Sequence, residues 1–317
     1  MSKAPTGKAA GRGDASRFET EGARAVWRSA SAASLAACAL VLAQPVAAYN
    51  VFPLDSTHAL KWGDNTVGTA GGIVTWSLMA DGTALDASAA ALGFGGTSNL
   101  ASVFDQVGGQ AAALEMIQRG FDAWSAVADI RFVRVDESGA LPFGAAAAGA
   151  AVVGDIRIGA FAFAPGDYTG AVGYAPPPNG GTTLEGDVVF NAGNRFGIAP
   201  GNEGDPYELY PSWNDYYYLN DFQGLFAHEL GHALGLAHSA ASESLMCGYV
   251  DAAADGSQCG WYDADGDGMA TILRLPKADD IAGVRYLYGV APVPEPATAM
   301  LLAGGLALIG SFVRRRS

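Results

Sequence analysis

The sequence is short of cysteine, positive charge and histidine, and each shortage narrows what the chain can do. Three cysteines are spread over 317 residues. Cys38 falls in an N-terminal stretch that reads as a cleaved leader. Only Cys247 and Cys259 then remain, enough for one bridge and too few for a disulfide-rich scaffold. Basic residues number 18 against 32 acidic ones. Six of the 18 precede residue 49 and three are the terminal arginines, so residues 49–313 carry nine Lys/Arg against 29 Asp/Glu, a net of −20. That balance repels phosphate backbones and anionic lipid and excludes nucleic acid as a partner. No internal repeat is present, which excludes solenoid and propeller architectures.

Both ends read as addresses. Arg24 and Arg28 precede an apolar run from Ser29 to Ala43, followed by QPVAAYN, with Val46 and Ala48 at the −3 and −1 positions of a signal-peptidase site. The run is too short to span a bilayer comfortably, so export with cleavage after Ala48 is expected over a membrane anchor. At the other end, Pro294-Glu295-Pro296 is followed by uncharged residues from Ala297 to Val313 and then by Arg314, Arg315 and Arg316. Physically this is a short transmembrane helix with a positive stop on its cytoplasmic side. The three parts in this order resemble the PEP-CTERM sorting signal of exported bacterial proteins. The resemblance implies an exosortase-type enzyme as partner, transient membrane association through the tail, and release to the cell surface or extracellular matrix. The expected organisation is a signal peptide (1–48), a working domain (49–292) and a sorting tail (293–317).

Within the working domain, GGIVTWSLMA (71–80), DIRFVRV (129–135), GDIRIGAFAF (154–163) and GDVVFNA (187–193) read as strands. Residues 111–128 place Leu114, Ile117, Phe121 and Trp124 at helical spacing. A last helix starts near Pro276, with Asp279 and Asp280 in its first turn, where the helix dipole favours acid. The aromatic connection DPYELYPSWNDYYYLND (205–221) is expected to pack over a long loop rather than to form a substrate rim. Cys247 and Cys259 are expected to form a disulfide in an oxidising destination.

Only four histidines occur, yet three crowd into residues 228–238, HELGHALGLAH. On a helical wheel with Leu230 at the centre, Phe222, Phe226, Ala233 and Leu234 share its face. His228 and His232 fall opposite, one turn apart, with Cβ atoms about 5–6 Å from each other. Both imidazoles can then reach one ion. Asn220 reads as the N-cap, with Gln223 completing a capping box. Gly235 supplies a left-handed stop that lets His238 come round as a third ligand. Three neutral imidazoles leave one tetrahedral position of a zinc ion open, which is the catalytic arrangement. Glu229, beside His228, can serve as general base.

HExxHxxGxxH is the metzincin signature, and HELGHALGLAHSAASESLM resembles the matrixin branch. The resemblance extends loosely over residues 60–290. It implies an α+β, zincin-like fold: a twisted mixed β-sheet with three main helices and an active-site cleft. It implies that His228, His232 and His238 hold a catalytic Zn²⁺, that Glu229 is the base and that Met246 is the Met-turn beneath the metal. A protein or peptide substrate is expected to lie antiparallel to an edge strand near 187–192. The chain departs from the pattern at Tyr174 and Val189, which stand where matrixins carry histidines for a second, structural zinc. It also has no cysteine between residue 49 and the histidine helix for a cysteine-switch propeptide. Asp263, Asp265 and Asp267 in DADGDG match the first half of a calcium loop, but Arg274 stands where that loop needs a glutamate. A partial Ca²⁺ site and a plain Asp/Gly turn both remain open there, and Asp187 is a further candidate calcium contact. The function expected is that of a secreted zinc metalloendopeptidase. The alternative is a non-catalytic zinc-binding surface or matrix protein on the same fold.

Overall fold

In the segment GIVTWSL, alternate side chains turn inward: Val74 and Trp76 are buried while Ile73 is exposed. The computed structural model describes residues 48–145, 151–178, 184–209, 219–248, 259 and 268–292. In chain order they form β1 (Asn50–Val51), β2 (Gly72–Leu78), α1 (Ala87–Ala91), α2 (Leu100–Gln106), α3 (Gln110–Ser125), β3 (Ile130–Arg134), β4 (Ile156–Phe161) and β5 (Ala171–Gly173). Then follow β6 (Val188–Asn191), β7 (Phe196–Gly197), β8 (Pro206–Glu208), β9 (Asn220–Asp221), α4 (Phe222–Ala233), β10 (Leu236–Ala237), β11 (Met269–Thr271) and α5 (Ala278–Tyr288). The fold combines helices with a mixed β-sheet, and three of its five described helices exceed ten residues.

The main sheet has the order β3-β2-β4-β6-β5. The first four strands run parallel, and β5 pairs antiparallel with β6. The expectation of an edge strand near 187–192 is therefore corrected. Residues 188–191 lie between β4 and β5, and their pattern of four buried residues is that of an interior strand. The edge beside α4 is β5, three residues between Gly170 and a proline-rich turn.

Two long helices pack on one another and on the sheet. On α3, Ala113, Met116, Ile117, Gly120, Phe121 and Trp124 are buried, the three-and-four spacing of a core-facing stripe. Leu114, expected in that stripe, is only half-buried, and Met116 takes the inner position. Gly120 lets α4 approach: a Cβ there would fall 2.7 Å from a ring carbon of Phe226. Trp124 Nε1 donates to Ala227 O at 3.0 Å, so the indole satisfies its one donor inside the core. Trp76 stacks on Phe121, which meets Phe226 edge-on. Phe222, Phe226, Leu230, Ala233 and Leu234 are all fully buried, so α4 runs through the centre of the core.

The start of α4 corrects the sequence expectation. Asn220 belongs to β9, and the N-cap is Asp221, whose carboxylate accepts from Gly224 N at 3.0 Å. Arg274 decides between these adjacent residues by pairing with the Asp221 carboxylate at 2.6 Å. At the far end, Gly235 has φ +98°, and a Cβ there would fall 2.1 Å from Leu60 O, so both conformation and space demand glycine. Two terminal carbonyls find partners from outside the helix. Trp62 Nε1 donates to Ala233 O and Tyr288 OH to Leu234 O.

Among the described residues, no helix is long and apolar enough to cross a membrane. The leader up to residue 47 and the tail from 293, with the expected span 297–313, lie outside them.

Candidate metal centre

The backbone of α4 puts His228 and His232 one turn apart, and the reversal at Gly235 returns His238 to the same place. Ring centroids are 4.9 Å apart for 228 and 232, 5.4 Å for 228 and 238, and 4.8 Å for 232 and 238. One ring nitrogen from each lies within 4.8 Å of the other two, and no other group of three His, Cys, Asp or Glu among the described residues converges in this way.

The rings on α4 are aimed by hydrogen bonds. His228 Nδ1 lies 2.6 Å from Leu245 O, and His232 Nδ1 lies 2.8 Å from Leu236 O. A carbonyl only accepts, so Nδ1 carries the proton in both rings and Nε2 keeps its lone pair. Burial pushes the His228 imidazole down to about 4 and holds His232 well below the usual histidine range. Both rings are thus neutral at physiological pH, the form that binds metal. This donor set fits a zinc ion with one position left open.

Glu229 is also buried, its Oε2 accepting from Gly173 N at 2.6 Å. Burial raises its carboxyl to about 8, partly offset by that hydrogen bond. Gly173 is required by close approach: a Cβ there would fall 2.1 Å from Glu229 O. The edge strand thereby lies directly on the helix that carries the site. Met246 is buried, and a Cβ on Gly231 would fall 2.2 Å from its sulfur, so the thioether rests on α4 between the histidine turns.

Two residues of the support escape sequence reading. Asp279 and Asp280 were expected only to complement the dipole of α5. Instead Asp280 is buried and accepts from Ser244 Oγ, Leu245 N (2.8 Å), Met246 N (3.0 Å) and Lys277 N (2.8 Å). It therefore fixes the turn whose Leu245 carbonyl aims His228. Asp279 accepts from Ala48 N, Tyr49 N and Ser239 Oγ, joining the start of the domain to the residue after His238. An unbroken pair of acids at a helix start, each facing a different loop, is the only sequence signal of this role. Asp280→Asn should leave amide donors facing backbone donors, at about 1–3 kcal/mol for each orphaned group. A thermal melt of the metal-free protein should fall accordingly, and an unchanged melting point would contradict the assignment.

Cys247 and Cys259 form a disulfide, with Cα atoms 5.6 Å apart. Asp187 is fully buried, with one carboxylate oxygen accepting from Arg157 N at 2.7 Å and the other without a partner. It joins no group of three metal-ligating side chains among the described residues. Asp263, Asp265 and Asp267 lie outside the described residues, as do residues 210–218 of the aromatic stretch 205–221. Val189 is buried in an apolar cluster with Met79, Phe94, Phe143, Phe161 and Leu184, and Tyr174 packs against it. These side chains do not fit a second, structural zinc.

A family model described as Matrixin matches residues 102–289, and one described as the PEP-CTERM protein-sorting motif matches residues 292–317. Over 188 residues the chain is 29% identical to the macrophage metalloelastase of Oryctolagus cuniculus, a match covering 57% of this chain and 30% of that protein. The chain thus spans about a third of the length of that relative. The matrixin match includes both long core helices, the histidine segment and the turn at Met246, and on that ground the chain belongs to the matrixin family, with a PEP-CTERM sorting motif at its C-terminal end.

Proposed function

We propose that this matrixin is a secreted zinc metalloendopeptidase whose reaction is carried by His228, His232, His238 and Glu229. The observation that carries the reading is the convergence of three imidazoles beside a buried carboxyl group. A zinc ion held by the three rings supplies Lewis-acid polarisation of a peptide carbonyl and makes water more acidic. The residues of the chain do the rest. Hydrogen bonds to Leu245 O and Leu236 O fix the two helical rings in their ligand tautomer. Glu229 takes a proton from the attacking water and delivers it to the leaving amine nitrogen. The Gly173 N–H holds one carboxylate oxygen, leaving the other to face the reacting atoms. The substrate lies extended along the outer edge of β5, where main-chain pairing presents its carbonyl beside Glu229. Met246 floors the site. A mixed peptide library incubated with and without a chelator tests the reading: cuts that vanish with chelator support it, and cuts that persist contradict it.

The sorting motif supports a protein exported toward the cell surface, and such motifs imply processing by an exosortase. We infer that residues 1–48 are removed on export and that the tail is cut near Pro294–Pro296. Mass spectrometry of protein recovered outside the cell should show no peptide from 301–317. Recovery of the intact arginine tail on secreted protein would refute the processing.

A further inference from the structure

His228 and His232 are held by a helix, and His238 is not. It follows β10 into a turn, and its place depends on what surrounds residues 238–248. Asn50 Nδ2 donates to His238 O at 2.9 Å, and Ser239 N donates to Met246 O at 2.7 Å. Ser239 forms a parallel bridge with Cys247, so the strand segment leaving the third histidine runs beside the first disulfide cysteine. The next residue is Gly248, and it lies on the imidazole. A Cβ there would fall 2.7 Å from His238 Cγ and Nδ1 and 2.8 Å from its Cβ. No positive φ is recorded at Gly248, so it is space, taken by the ring, that excludes a side chain. Cys259 Sγ lies 3.0 Å from Gly248 O. Cys259 is eleven residues further along the chain, and its bond to the buried Cys247 keeps it there. Gly248 thus lies against the His238 ring with no room for a side chain, and its carbonyl lies against the disulfide.

We propose that the Cys247–Cys259 disulfide is a positioning element for the third metal ligand, acting by keeping Gly248 as a backstop against the His238 ring. The proposal rests on the zinc reading above and adds a role for two residues outside the ligand set. Two ligands sit on α4, and their rings are aimed by the carbonyls of Leu245 and Leu236. The third stands in the turn that the bridge closes, with Gly248 against its ring. Because disulfides form and persist in oxidising compartments, the complete site tightens where the exported chain arrives and stays loose before export.

The test is zinc affinity, measured by competition with a coloured chelator on the full chain. The proteins are wild type, Cys247→Ala with Cys259→Ala, and Gly248→Ala, each in the native and the His238→Ala background. Loss of a group that orients a ligand costs about 10–100-fold in metal affinity. Removing the bridge, or adding the Cβ at 248, should cost that much in the native background and less than about twofold once His238 is gone, because coupled changes do not add. Gly248→Ala leaves both cysteines in place, so it carries the test if the double cysteine variant fails to fold. An equal loss in both backgrounds would show a general loosening of structure and overturn the proposal, as would no loss in the native one. A wild-type protein that binds no zinc would overturn the zinc reading itself, a result distinct from either.

Discussion

Glu229→Gln is expected to keep its zinc and to lose peptide cleavage by about 10²–10⁴-fold, the usual contribution of a general base. The amide has the size of the carboxylate and can still accept from Gly173 N, so β5 and α4 keep their contact. The three imidazoles are untouched, and each helical ring retains its carbonyl partner. What is lost is the proton acceptor next to His228. Burial raises the Glu229 carboxyl to about 8 in the metal-free protein, and a cation held by the three imidazoles beside it would draw that value down and leave the carboxylate free to accept a proton. Zinc content and cleavage of one selected peptide, measured together, check the expectation. Cleavage near the wild-type rate with zinc bound would show that Glu229 is not the base.

His232→Ala should behave in the opposite way and lose the metal first. The side chain sits at the middle of the ligand set, its ring 4.9 Å from that of His228 and 4.8 Å from that of His238. Its removal takes away a ligand rather than a ligand's support. The loss of affinity should therefore exceed the roughly 100-fold upper range seen when an orienting group is lost. Activity should disappear with the zinc and return only at high added metal, if at all. Elemental analysis after gel filtration reads the metal directly. A variant that retains one zinc per chain through that step would exclude His232 as a ligand.

The contrast between these variants follows from what the sequence made legible. The spacing of His228 and His232, and a glycine at the bend before His238, identify a three-nitrogen site because helix geometry is fixed by the backbone. The buried stripe from Phe222 to Leu234 was readable for the same reason, as were β2, β3 and β4, which carry enough apolar residues to show a pattern. The edge of the sheet was not. Residues 171–173 read Ala-Val-Gly, too short and too small for alternation to show, and the edge expected near 187–192 came from the family resemblance, although the apolar run at 188–191 has the pattern of an interior strand. The wheel also put His228 and His232 away from the core. They are largely buried nonetheless, because β5 covers that side of α4 at Gly173. Asn220 and Asp221 were equally good caps by residue type, and the choice was made by Arg274, 53 residues on. Asp280 looked like a surface acid at a helix start, and nothing local could show that Ser244, Leu245 and Met246 fold back onto it. In each case the missing information was a contact between segments distant in sequence.

The central claim is that one zinc ion, held by His228, His232 and His238, makes this matrixin a peptidase. Zinc titrated into chelator-stripped protein, with peptide cleavage followed at each addition, tests it most directly. Cleavage should be absent at the start, rise linearly and level off at one zinc per chain, since Tyr174 and Val189 pack in an apolar cluster and the described residues hold no second group of three metal-ligating side chains. Cleavage by the stripped protein, or one zinc bound without any peptide cut, would contradict the account.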